Sequence, residues 1–277
     1  MKTIPGLMLL CFALLGVAGL CAGGEPPLAV EEIVAKSNHA ALYQGDDCKG
    51  AVHITITDKQ GRVRKRSFNM LRMNTDKQDQ DQKYFVYFLE PSDVRKMVFM
   101  VHKHAGLDSD DDRWMYLPSL DLVKRIAASD KRTSFVGSHF LYEDISGRSP
   151  EEDTHKLIGT TENHYIVDNS PKDKSTVEFS HYIATIDKET FLPVKLEYYK
   201  RDDRPYRIME VREISRVKAT HHGKSVSYPT AVRTVVRDLE NGGGTEMAFS
   251  NVRYNLGLND SLFSERYLRH APREVIR

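Results

Sequence analysis

From Ala51 to Tyr254 the sequence moves in short runs of alternating apolar and polar residues, and a period of two sustained this long dictates strands rather than helices. Val194, Leu196 and Tyr198 fall on one side of such a run, with Lys195, Glu197 and Tyr199 on the other. Met209 and Val211 oppose Glu210 and Arg212, Val232 and Val236 oppose Arg233 and Arg237, and Met247 and Phe249 oppose Glu246 and Ala248. Strands are predicted at 51–57, 63–73, 83–89, 96–102, 113–117, 154–159, 164–168, 176–186, 194–200, 207–217, 226–239 and 245–254. Polar turns such as Asp58-Lys59-Gln60-Gly61, His221-His222-Gly223-Lys224 and Glu240-Asn241-Gly242-Gly243-Gly244 separate them. Connections this short make consecutive strands antiparallel neighbours. One large sheet with an apolar and a wet face follows, and the apolar face must be buried against something.

Little helical sequence is available to cover it. The 28–42 segment has helical spacing, with Val30, Ile33, Val34 and Ala41 on one stripe, and 119–143 suits two short helical turns with loops. The expected fold class is α+β and mostly β: a strongly curved antiparallel sheet, or half-open β-barrel, covered by a few short helices. No repeat or low-complexity linker divides the chain, so one domain is expected over 25–277.

The first residues belong to export. Lys2, the apolar run from Leu7 to Leu20 and the small residues Cys21-Ala22-Gly23-Gly24 are expected to form a cleavable signal peptide over 1–24. Leu20 directly before Cys21 argues against a lipid-modified cysteine, so no stable membrane anchor is expected. Cleavage leaves Cys48 as the single cysteine, and an internal disulfide is impossible. The formal charge of +1 falls to zero with the loss of Lys2, which gives no footprint for nucleic acid or for an anionic membrane surface.

Catalytic signatures are missing: no Gly-x-Ser-x-Gly elbow, P-loop or His-Glu-x-x-His occurs. Asp108-Ser109-Asp110-Asp111-Asp112 starts like a calcium loop, but Arg113 stands where that loop needs glycine, so it reads as a solvated acidic turn. His221 and His222 have no carboxylate or cysteine near them in the chain, and no metal site is expected. His102 and His104 read as solvent-exposed, and Cys48 beside Asp46-Asp47 reads as unreactive. No catalytic residue and no cofactor is expected. Function therefore rests on a surface, and the apolar strand face is the candidate, although the pattern alone favours ordinary core.

Several motifs fall in a distinctive order: Asp112-Arg113-Trp114-Met115-Tyr116-Leu117-Pro118, Lys124-Arg125-Ile126, Ser134-Phe135-Val136-Gly137-Ser138-His139-Phe140 and Tyr142-Glu143-Asp144. Phe191-Leu192-Pro193-Val194-Lys195, Asn251-Val252-Arg253-Tyr254 and Leu262-Phe263-Ser264 follow. This series resembles the outer-membrane lipoprotein-sorting-protein-like family, over most of the chain after the signal segment. The resemblance implies a bent sheet of about eleven strands, a size at which curling is expected, with acyl chains on its concave face and helices as a movable cover. It implies a periplasmic carrier of lipid or lipoprotein acyl chains, with an inner-membrane lipid exporter as a partner. On that basis Val194, Leu196, Tyr198, Met209, Val211, Val232, Val236, Met247 and Phe249 are the expected lipid-cavity lining. A lipid-binding sensor and an envelope-lipid hydrolase are the alternative functions. Trp114 and Tyr116 read as structural residues, and Lys124 and Arg125 as solvated ones that also suit an anionic headgroup.

Overall fold

A computed structural model describes residues 28–75, 81–104, 106 and 109–276; the predicted signal segment with Cys11 and Cys21, and part of each loop at 74–82 and 106–112, lie outside them. Thirteen strands form one antiparallel sheet. In chain order they are β1 (Asp47–Thr57), β2 (Val63–Asn74), β3 (Gln82–Glu90), β4 (Val98–Lys103), β5 (Asp112–Leu117), β6 (Leu122–Ile126), β7 (Asp153–Thr160), β8 (His164–Pro171), β9 (His181–Asp187), β10 (Pro193–Tyr199), β11 (Pro205–His221), β12 (Lys224–Asp238) and β13 (Gly244–Tyr254). The spatial order is β6-β5-β4-β3-β2-β1-β13-β12-β11-β10-β9-β8-β7, so β1 and β13 meet in the middle and β6 and β7 are the edges.

The sequence anticipates twelve of these strands. The thirteenth, β6, lies in the 119–143 segment read as helical turns, and Leu122–Ile126 instead extends the sheet by pairing with β5. Its neighbourhood decided this: the open edge of β5 supplies ladder partners that no local pattern reveals. The predicted 176–186 strand is shorter than expected and begins at His181.

The chain from 127 to 152 connects the two edge strands and lies across the inner face. It contains α2 (Tyr142–Ser146) and two 3₁₀ turns. Within this lid, the Tyr142 ring stands 5.2 Å from that of Phe99 on β4, while Asp144 pairs with Arg207 on β11. In a flat sheet β4 and β11, six strand positions apart, would lie about 29 Å from each other. Residues only two apart in sequence reach both, so the sheet bends around the lid without closing.

Three apolar clusters result. Beneath the lid, Phe135 packs on Phe68, Phe88 and Phe99, joined by Val52, Ile54 and Ile56 from alternate positions of β1. Over the other half of the inner face, Ile33 of α1 (Val30–Asn38) packs on Val167, Ala184 and Ile186 of β8 and β9. A π-helical turn, His39–Tyr43, carries α1 on towards β1.

The third cluster corrects the expectation of one wet face. Leu71, Phe85, Met100 and Trp114 point to the convex side and are sealed by Leu262, Phe263, Leu268 and Val275 from the C-terminal segment. Two short helices, α3 (Arg266–Arg269) and α4 (Arg273–Ile276), form that cover. Burial on both faces explains the continuous apolar runs of β3 and β4, where alternation is weak. Trp114 belongs to this packing. His102 is half-buried there too, against Trp114 and with Nε2 2.7 Å from the Phe263 carbonyl, and is not a free surface residue.

Candidate functional site

Between the lid, α1 and the inner face the packing leaves space. One cavity of about 250 Å³ is bordered by Met70, Met209, Val211, Met247 and Phe249 from the sheet and by Phe140 and Ile145 from the lid. A second, of about 230 Å³, lies between α1 and Tyr182, Leu196 and Tyr198. Ala41, Leu42, Asp144, Pro193 and Met209 border both, so the two adjoin, and together they make up an apolar hollow along the inner face. Methionine suits such a wall, because its flexible thioether fits irregular neighbours.

Of the nine residues expected to line it, Leu196, Tyr198, Met209, Val211, Met247 and Phe249 do so. Val236 faces the same way but is completely buried in the core beside the hollow. Val194 and Val232 are not among the residues that border it. Both fall at β-bulges: Val194 lies between the paired residues Pro193 and Lys195, and Val232 between Ala231 and Arg233. A bulge leaves a residue unpaired and breaks the alternation from which its facing was read. The opposite face is wet here as expected, with Lys195 paired to Glu197, and Glu210 to both Arg212 and Arg237.

The sheet parts at one end of the hollow. β12 pairs with β13 only from Arg233 to Arg237, so the distal half of the β11–β12 hairpin leaves its neighbour. Tyr228 and Tyr254 bridge the gap with rings 4.7 Å apart, and the Tyr254 hydroxyl lies 3.0 Å from Thr230 Oγ1. Behind them the buried Arg72 donates to the Leu42 and Gln44 carbonyls and holds the turn before β1 across that end.

Buried ion pairs tie the lid down. Glu143 meets Arg132, Arg148 and Lys131, while Arg132 also grips Glu178 through two bonds of 2.7 and 2.8 Å. Arg148 bonds Asp153 at 2.9 Å and Glu152 at 2.7 Å. Burial by itself would push the Glu143 carboxyl up; Arg132, Arg148 and Lys131 outweigh it and hold it below the ordinary carboxylate range. The same contest, won by the Arg132 hydrogen bond and charge, takes Glu178 down to about 2. Burial pushes the Tyr198 hydroxyl up to about 12. At the end of α2, Gly147 has φ +79° and passes so close to Leu42 that any Cβ would clash.

A polar cavity of about 310 Å³ adjoins the hollow and shares Glu143, Gly147 and Arg148 with it. Most of its cations are matched: Arg113 by Asp111, Lys131 by Glu152, and Lys172 by the Glu151 carbonyl. Lys103 differs. It is 3% exposed, its Nζ has no hydrogen-bond acceptor among the described residues, and it stands 5.3 Å over the Tyr43 ring. Burial draws its ammonium down to about 8, against the pull of Asp111, Glu152 and Glu143.

The sequence singled out Glu143 and Asp144 only as parts of a motif and did not reveal Lys103, Arg132, Arg148 or Arg207. A basic residue in a polar stretch gives no local sign that its partner is a buried acid elsewhere in the chain.

The open antiparallel sheet, bent round the lid that joins its edges, is a fold shared with solved structures of lipoprotein-sorting and LolA superfamily proteins. The chain belongs to the family described as "-like: Uncharacterized protein", whose model matches residues 80–270. It is similar to a DUF1329 family protein from Desulfovibrio piger, with 26% identity and a TM-score of 0.75 over 86% of this chain and 96% of that one. It is similar also to a domain assigned to outer membrane lipoprotein sorting from Vibrio parahaemolyticus, with 24% identity and a TM-score of 0.72 over 86% and 97% of the two chains. A LolA superfamily protein from Nitrosomonas europaea shares 16% identity, with a TM-score of 0.62 over 87% and 100%. At those identities the last two establish the fold. No curated protein matches the chain. The thirteen strands exceed the eleven implied by the sequence resemblance.

Proposed function

We propose that the protein is a periplasmic carrier that shields the acyl chains of a lipid or lipoprotein on its way between the inner and outer membranes. The observation that carries this reading is a pair of adjoining apolar cavities beneath a lid held by ion pairs, with a charged cavity beside them. An amphiphile has the matching form: acyl chains for the hollow, a polar headgroup for the cavity. Each methylene removed from water contributes about 0.8 kcal/mol, so carriage needs neither a cofactor nor a catalytic group. Energy for loading would come from an inner-membrane lipid exporter, as the sequence resemblance implies. No described helix is long and apolar enough to cross a membrane, and residues 1–24 fit a cleavable signal that delivers the rest to the periplasm.

Native mass spectrometry of the protein isolated from its own periplasm tests this. The expected result is a chain beginning near Gly24 or Glu25 with a co-purifying lipid. Protein that takes up neither lipid nor acylated peptide under any loading condition would overturn the reading.

A further inference from the structure

The tip of the β11–β12 hairpin carries His221 and His222, and the sequence offers no acid beside them. The fold supplies one from the far end of the chain. Asp46, immediately before β1, places Oδ2 3.3 Å from His221 Nε2, and one donor atom from each of Asp46, His221 and His222 lies within 4.8 Å of the other two. Two ligands at 2.0–2.1 Å from a tetrahedral zinc ion stand about 3.3 Å apart. His221 Nε2 is buried and makes no hydrogen bond of acceptable geometry, although the carboxylate oxygen is so near. A shared cation accounts for that approach better than a shared proton.

The frame around the three donors is built. The Asp46 N–H donates to Asn255 Oδ1 at 2.8 Å, and the Asp46 carbonyl accepts from the Asn74 N–H at 2.9 Å. Asn255 Nδ2 donates in turn to the carbonyl of Thr220, the residue before His221, at 3.1 Å. One asparagine therefore fixes the acid and the histidine pair relative to each other. His222, with φ +49°, and Gly223, with φ +76°, make the tight turn that keeps the two imidazoles together, rings 4.2 Å apart. These bonds hold the main chain on which the donors stand and so fix the spacing of the acid from the histidine pair.

We propose that Asp46, His221 and His222 bind one divalent first-row transition ion per chain. Two imidazoles and one carboxylate suit zinc, with copper(II) and nickel(II) as chemically related occupants. Three protein ligands leave a fourth position for water or for an anionic group presented by another molecule. The ion would pin the hairpin tip to the start of β1, beside the end of the hollow that Tyr228 and Tyr254 bridge.

The test is calorimetric titration of zinc into chelator-stripped, tag-free protein without the signal segment, paired with thermal melts. The expected result is one zinc per chain and a higher melting temperature with zinc. His222→Gln and Asp46→Asn should each weaken binding at least about tenfold. Both positions are exposed, so their metal-free melts should match the wild type. Asn255→Ala should weaken zinc binding with all three ligands intact, and Cys48→Ser should bind as the wild type does. Wild-type protein that takes up no zinc, or His222→Gln and Asp46→Asn proteins that bind as tightly as wild type, would overturn the proposal. Loss of binding through Cys48→Ser would do so as well.

Discussion

Arg207, on β11, forms an ion pair with Asp144, in the lid helix, and both side chains are almost wholly buried. The pair fastens the lid to one wall of the bent sheet, while Tyr142, two residues earlier, packs on the opposite wall. Truncating one partner leaves the other charged and buried, so Asp144→Ala should cost about 3–5 kcal/mol in chemical denaturation. The double variant Arg207→Met with Asp144→Leu should recover most of that loss. A single variant as stable as wild type would show that the pair contributes nothing to closure.

Leu196 and Phe249 border the hollow, whereas Phe68 is fully buried in the core beside it. Leu196→Glu and Phe249→Asp should therefore abolish lipid co-purification while lowering the melting temperature only modestly, because a carboxylate facing a cavity keeps access to water. Phe68→Ala should behave oppositely and lose about 3–5 kcal/mol of stability. Equal destabilisation by all three would identify the hollow as ordinary core.

Acid should loosen the lid. The folded-state values of Glu143 and Glu178 lie below their ordinary ones, Glu178 at about 2. Their stabilising contribution is complete above about pH 4.5 and disappears as the pH falls through the folded values. Melting temperature should drop between pH 4.5 and 2.5, and Glu178→Gln should flatten that drop. An unchanged slope in the variant would place the acid sensitivity elsewhere.

Lys103 should work in the other direction. Its folded value of about 8 lies below the 10.5 of an exposed lysine, so the folded state binds the proton less tightly than the unfolded chain. The penalty is complete below pH 8 and fades as the pH rises towards 10.5. At neutral pH Lys103→Met should raise the melting temperature and weaken retention of an anionic lipid relative to a neutral one. Lower stability would mean that the ammonium is satisfied in the folded protein. A stabilising but functionally harmful substitution is the expected mark of a residue kept for binding.

The alternation of Leu196 with Glu197, and of Met209 with Glu210, determined by itself that the chain is an antiparallel sheet with a face to cover, and the motif series around Trp114 and Glu143 pointed to its fold. These features were legible because facing in a strand is a local property set by the two-residue repeat. Only the tertiary structure decided the rest. Bulges at Val194 and Val232 interrupt the alternation there, because a bulge depends on the partner strand. Leu262, Phe263 and Leu268 close the convex side, and β6 joins the edge of β5, through surfaces that exist only once the sheet has formed. Arg207 finds Asp144, and His221 finds Asp46, across separations that no periodic pattern records. A repeat along the chain reports which way a side chain points; what it meets there depends on how distant segments are brought together.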